Sequence, residues 1–142
     1  MGGHKLRYFL LPLSEDEKPR KMKIAVIGGG NMGGSIARGA VKRGAVEARN
    51  VTVSDPSDKV LGDMAAFDPQ IVLTKDNAAA VAGADIVFVA VKPWLVETVM
   101  GQIRDALDYS RQKVVSIAAG VTFEMLAGYL RKASGEEPVL FR

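Results

Sequence analysis

The sequence predicts a doubly wound α/β fold of the single-domain kind, with a mainly parallel sheet and helices on both faces. Three observations carry this expectation. Short β-branched runs alternate with segments of helical apolar spacing, the connections between them are short, and a glycine-rich turn follows the first run. Parallel strands need crossovers, and the helical segments lie between the runs where those crossovers belong. A chain of 142 residues that is 48% hydrophobic can bury one sizeable core.

Residues 1–21 lack a periodic apolar pattern, carry the charged stretch from Ser14 to Lys21, and end just before Met22. They are expected to be an appendage, natural or added, to a domain covering 22–142. Ile24 to Ile27 is a continuous β-branched run of the type covered on both faces, and Gly28 to Gly30 ends it. A helix follows, with Ile36, Ala37, Ala40 and Val41 on one face and Gly44 as its stop. Val51 to Val53 predicts a second strand, after which Pro56 and Ser57 favour a turn and a new helix start. Ile71 to Leu73 predicts a third. Asp85 to Val91 predicts a fourth that stops at Lys92-Pro93, because proline cannot continue a central ladder. Val96, Val99, Met100, Ile103 and Leu107 then share one helical face. Val114 to Ala118 predicts a fifth strand, Thr122 an N-cap for a helix through Leu126 and Leu130, and Pro138 to Phe141 a sixth strand.

Composition removes several classes of chemistry. The chain has no cysteine and one histidine, His4, so thiolate nucleophiles, disulfides, zinc clusters and histidine acid–base catalysis find no support. No metal site is expected, and no catalytic side chain is evident. The net charge of +3 is small and its cations are scattered, which does not favour nucleic acid as a partner. No apolar stretch approaches a membrane span, and Tyr8 to Leu13 is too short for a signal-peptide core, so the expected compartment is the cytoplasm. Any chemistry is expected to come from a cofactor.

Gly28, Gly30 and Gly33 form the spacing G-x-G-x-x-G where it carries weight, directly after a predicted strand and at the opening of a predicted helix. Gly28 allows the tight turn, Gly30 lets the backbone approach a pyrophosphate, and Gly33 permits close packing of helix on strand. Backbone N–H groups and the positive end of the helix dipole both favour phosphate there. The plain alternative is a turn that only connects strand to helix. Asp55 lies 22 residues after Gly33, near the spacing at which an acidic residue meets the adenosine ribose. It accepts from ribose hydroxyls and repels a 2′-phosphate, which argues for NAD; Ser54, Ser57 and Lys59 are nearby donors that suit NADP, so NADP(H) or NAD(H) stays open. Asp55 equally fits as a cap before Pro56.

Asn77, Lys92-Pro93-Trp94 and Ala119-Gly120 follow the third, fourth and fifth predicted strands, at the edge where open α/β sheets bind ligands. Lys92 also reads as an exposed loop lysine, and Trp94 as a residue packing the helix that follows.

These residues resemble one family, the pyrroline-5-carboxylate reductases. The resemblance runs from Met22 to Arg142 and rests on Ile27 to Met32, Asp76-Asn77, Ala84 to Pro93 and Ser116 to Val121. Its discriminating element is Val91-Lys92-Pro93, which related β-hydroxyacid dehydrogenases lack. It implies reduction of a cyclic imino acid, 1-pyrroline-5-carboxylate, to L-proline with NADPH or NADH. It implies that Ile27, Gly28, Gly29, Gly30, Asn31 and Met32 meet the pyrophosphate and that Ser54 and Asn77 lie on the adenosine side. Ala90, Val91, Lys92 and Pro93, with Ala118, Ala119 and Gly120, are implied near the nicotinamide. Trp94 stands where the family has glutamine, and Asp55 where NADP-preferring members often carry small or basic residues. Family members continue into a helical domain that dimerises and supplies much of the substrate pocket, so the resemblance implies homo-oligomers for the full-length family and little activity for this chain alone. A β-hydroxyacid-dehydrogenase relative and a non-catalytic nucleotide-binding module are the alternatives.

Overall fold

The β-branched runs become six strands of one sheet in a computed structural model of the protein, which describes residues 21–142. In chain order the elements are β1 (Ile24–Ile27), α1 (Asn31–Lys42), β2 (Val51–Ser54), α2 (Asp58–Phe67), β3 (Val72–Thr74) and α3 (Asn77–Val81). They continue as β4 (Ile86–Val89), α4 (Val96–Ile103), β5 (Lys113–Ser116), α5 (Phe123–Leu130) and β6 (Val139–Phe141). The spatial order is β3-β2-β1-β4-β5-β6 and every pairing is parallel. The chain winds outward first through β2 and β3 and then, from β4, in the opposite direction. The order therefore reverses between β1 and β4, the place where sheets of this kind open a crevice at their carboxyl ends.

β1 lies centrally, with Val26 beside Val53 on one flank and Phe88 on the other, and all four of its residues are buried. One face of the sheet packs Val87, Val89 and Val114 against Val96, Met100 and Ile103 of α4 and Leu126 and Leu130 of α5. The opposite face packs Val26, Val51 and Val53 against Ala37 of α1 and Met64 of α2. Each such side chain contributes about 1.5–3 kcal/mol when fully buried. The second face thins toward β6, where Val139 and Phe141 are each 48% exposed.

α1 ends as expected: Gly44 takes φ +72° and its N–H donates to Val41 O at 3.1 Å. Strands β4 and β5 end earlier than the sequence suggests. β4 ends at Val89, although Ala90 N–H still reaches Ile27 O at 2.8 Å, because the chain turns away before Pro93. β5 ends at Ser116, with Ile117 N–H still on Val89 O at 3.2 Å, because Gly120 adopts φ +76° and bends the segment. Of the expected appendage, residues 1–20 lie outside the described residues; Lys21 pairs with Glu47 at 2.8 Å.

Candidate functional site

A cleft of about 1210 Å³ opens along the carboxyl edge of the sheet, floored at the β1/β4 reversal by Ile27, Gly28 and Ala90. Its shape begins with the turn after β1. Gly28 has φ +94°, and a Cβ there would stand 2.7 Å from Ala90 O, so both backbone and space demand glycine. A Cβ at Gly33 would stand 1.7 Å from Gly28 O, which is how closely α1 lies on the turn. Gly29 is held from β2: its N–H donates to Asp55 Oδ2 at 2.9 Å, while Gly28 N–H donates to Ser54 O at 2.7 Å. Gly30 differs from all of these. It lines the cleft with φ −71°, and a Cβ there would meet no protein atom within 4 Å. No side chain or backbone atom of the described residues occupies the space a Cβ would take at that position.

The start of α1 is equally open. No side chain caps it and no acidic residue sits in its first turn. By contrast Ser57, Asp76 and Thr122 cap α2, α3 and α5, accepting from the N–H groups of Val60, Ala79 and Met125. Asn31 and Met32, the first residues of α1, line the cleft beside Gly30. A helix start with no side-chain cap and no acidic residue in its own first turn is suited to an anion.

At the β2/β3 end, Asp55 spans two segments, with Oδ2 on Gly29 N–H and Oδ1 on Ser57 N–H at 2.8 Å. It clasps the glycine turn, and the cap of α2 is Ser57, not Asp55. Fully buried Ser54 donates its hydroxyl to Asn77 Oδ1 at 2.6 Å, and Asn77 Nδ2 donates to Gln102 Oε1 at 2.7 Å. Lys75, also on the wall, pairs with Asp58 at 2.7 Å and holds that carboxyl below its usual range by hydrogen bond and charge. Lys59 is turned to Asp63 at 2.9 Å.

At the β4/β5 end the wall consists of Val91, Lys92 and Pro93 with Ile117, Ala118 and Ala119. Trp94 is 76% exposed and does not line the cleft, which supports neither of its two readings; Pro93 starts a short 3₁₀ turn that carries Trp94 outward ahead of α4. Among the described residues no three His, Cys, Asp or Glu side chains converge on one point, and no helix is long and apolar enough to cross a membrane.

This geometry agrees with the comparisons to known proteins. Residues 23–120 match the family described as NADP oxidoreductase, coenzyme F420-dependent. The chain belongs to that family. Within it, the chain is 42% identical over 107 residues to the pyrroline-5-carboxylate reductase of Escherichia coli, covering 74% of this chain and 38% of the relative. A solved pyrroline-5-carboxylate reductase from Coxiella burnetii superposes with a TM-score of 0.73 at 30% identity, over 80% of this chain and 42% of that one. The 3-hydroxyisobutyrate dehydrogenase of Mycobacterium tuberculosis shares the fold at 21% identity and a TM-score of 0.65, over 85% of this chain and 39% of that one. The chain thus spans well under half the length of these relatives.

Most residues singled out in the sequence line one cleft of this oxidoreductase-family domain: Ile27, Gly28, Gly30, Asn31 and Met32 from the turn, Ser54, Asp55 and Asn77 at one end, and Ala90 to Pro93, Ala118 and Ala119 at the other. Gly29, Gly33 and Gly120 do not line it. Gly29 faces Val53 and Val60, Gly33 faces β1, and a Cβ at Gly120 would meet nothing within 4 Å. Sequence reasoning missed Lys75, Thr98 and Gln102, which also line the wall. Thr98 and Gln102 are four residues apart on α4, and a polar i, i+4 pair beside an apolar stripe was the available signal.

Proposed function

We propose that this domain binds a nicotinamide dinucleotide, NADH or NADPH, along the cleft. We propose further that it forms the coenzyme half of a reductase that converts 1-pyrroline-5-carboxylate to L-proline. The observation that carries the reading is the uncapped start of α1 beside Gly30, whose missing Cβ leaves room for a phosphate at the backbone. The donor set fits the rest of such a coenzyme. Asp55 and Asn77, the latter anchored by buried Ser54, supply carboxylate and amide groups for the adenosine ribose, and the mainly apolar wall of Ala90, Val91, Pro93 and Ala118 suits a nicotinamide ring. The resemblance of Val91-Lys92-Pro93 and the likeness to the E. coli reductase support the imine as substrate.

When bound, reduced nicotinamide supplies a hydride for the electrophilic imine carbon. The chain's own residues do the holding. Backbone N–H groups of Gly30, Asn31 and Met32 bind the pyrophosphate, Asp55 braces the turn that presents them, and Lys92 positions the coenzyme at the far end. A cyclic imino acid as small-molecule substrate, assembly into homo-oligomers by the full-length protein and a cytoplasmic setting belong to the same proposal.

Calorimetric titration of the 142-residue chain with NADH and NADPH tests the coenzyme. Saturable 1:1 binding of at least one is expected, and binding of neither sinks the reading. Exchanging the chain for the corresponding region of the E. coli enzyme tests the substrate. Turnover of pyrroline-5-carboxylate is expected, and activity restricted to small hydroxyacids would instead favour a β-hydroxyacid dehydrogenase.

A further inference from the structure

We infer that Gln102 is a positioning residue that sets the orientation of Asn77, so that the Asn77 amide is presented to a ribose oxygen at the β2/β3 end of the cleft. The inference rests on the reading of the cleft as a dinucleotide site.

The argument starts at Ser54, which is fully buried at the end of β2. A buried hydroxyl needs a partner, and it donates to Asn77 Oδ1 at 2.6 Å. That bond turns the carbonyl side of the planar amide toward the sheet and its NH₂ side outward. Asn77 is the first residue of α3, a helix of only five residues, so its own element does little to hold the side chain. The second tether comes from α4, where Gln102 Oε1 accepts from Asn77 Nδ2 at 2.7 Å, 25 residues away in sequence. With both ends of the amide engaged, one Nδ2 hydrogen of Asn77 remains for a ligand, while Ser54 stays buried as the anchor beneath it.

All three side chains line the cleft and none carries charge. The Asn77 amide offers that end of the cleft an uncharged donor beside the carboxylate of Asp55, whose charge disfavours a phosphate there and leaves a sugar oxygen as the fitting partner. Gln102 is exposed on α4 and belongs to neither hydrophobic cluster, so the bond to Asn77 is its evident contribution. An exposed hydrogen bond adds little to folding but can fix a recognition geometry before the ligand arrives.

The test uses the complete chain with NADH, adenosine 5′-monophosphate and nicotinamide mononucleotide as probes. Gln102→Ala is expected to weaken NADH and adenosine monophosphate about five- to tenfold, to leave nicotinamide mononucleotide unchanged and to leave the melting temperature within about 2 °C. Gln102→Glu keeps an acceptor oxygen and is expected to retain most of the affinity. In an Asn77→Ala background, Gln102→Ala is expected to add nothing, because it acts only through that amide. Equal weakening of both mononucleotides, additive effects of the two substitutions, or unchanged adenosine monophosphate binding by Gln102→Ala would each overturn the inference. Failure of the unsubstituted chain to bind NADH or NADPH would instead remove the dinucleotide reading on which it rests.

Discussion

Gly30→Ala adds one methyl group at the cap position of α1, where the structure has no atom within 4 Å to meet it. Two small effects on stability oppose each other. Alanine is a poorer cap than glycine by up to about 1 kcal/mol, and it lowers the entropy of the unfolded chain by about 0.4–1 kcal/mol. The net change in unfolding free energy is therefore expected to lie within about 1 kcal/mol of zero. Coenzyme binding has no such compensation. The methyl occupies the space through which an anionic oxygen reaches the α1 backbone, and a hydrogen bond to a charged group contributes about 1.5–3 kcal/mol, so NADH affinity is expected to fall about ten- to a hundredfold. Gly33→Ala is the opposite case. Its Cβ would stand 1.7 Å from Gly28 O, a backbone atom that can move only if α1 leaves β1, and a loss of about 3 kcal/mol or more is expected. Urea unfolding and calorimetric titration on the same samples separate the two. The reasoning fails if Gly30→Ala binds NADH like the unsubstituted chain, or if it loses as much stability as Gly33→Ala.

Three further outcomes are expected. Because Asp55 brings a carboxylate to the β2 end and Lys59 and Lys75 are already paired with Asp63 and Asp58, the chain should bind NADH more tightly than NADPH. Asp55→Ser should narrow that ratio while costing about 1–3 kcal/mol through loss of the carboxylate bonds to Gly29 and Ser57 N–H, and parallel titrations with both coenzymes would show it. Burial pushes the Tyr109 phenol, which donates to Leu130 O, up to about 12. The folded state holds that proton more tightly than an unfolded tyrosine does, so its contribution is complete below about pH 10 and is lost as pH rises toward 12. Unfolding at stepped pH should therefore show a steeper alkaline decline for the unsubstituted chain than for Tyr109→Phe, and equal slopes would contradict the assignment. Ser116 Oγ is buried without a hydrogen-bond partner among the described residues, so Ser116→Ala should raise unfolding free energy by about 1 kcal/mol, and a loss in urea titrations would show the hydroxyl to be satisfied.

Much of the site was legible because its parts are local. A strand ending at Ile27, glycines at 28, 30 and 33 and apolar spacing thereafter lie together within one short stretch of sequence. Polar residues at strand ends are legible for a related reason, since a parallel sheet gathers all its carboxyl ends on one edge. The partner of Gln102 was not legible. Gln102 is the penultimate residue of α4, and although its spacing from Thr98 marks a polar wall, nothing in that local pattern tells that α3 lies close enough for a 2.7 Å bond to Asn77. Asp55 was half legible: spacing put it at the end of β2, but its bonds to Gly29 and Ser57 depend on the parallel register that sets Ile27 beside Ser54. The outward placement of Trp94 was not legible, because helical periodicity carries no information about a 3₁₀ turn that points a side chain outward.

By itself the amino-acid order determined the alternation of strand and helix, the doubly wound class and the presence of a phosphate-type turn, because periodicity, β-branching and glycine placement act over a few residues. Only the tertiary structure decided which glycine leaves space for a ligand, which carboxylate braces the turn and which helix supplies a third member of the Ser54–Asn77 pair. Those choices turn on distances between segments about 25 residues apart in sequence, set when the sheet order β3-β2-β1-β4-β5-β6 brings their ends to one cleft.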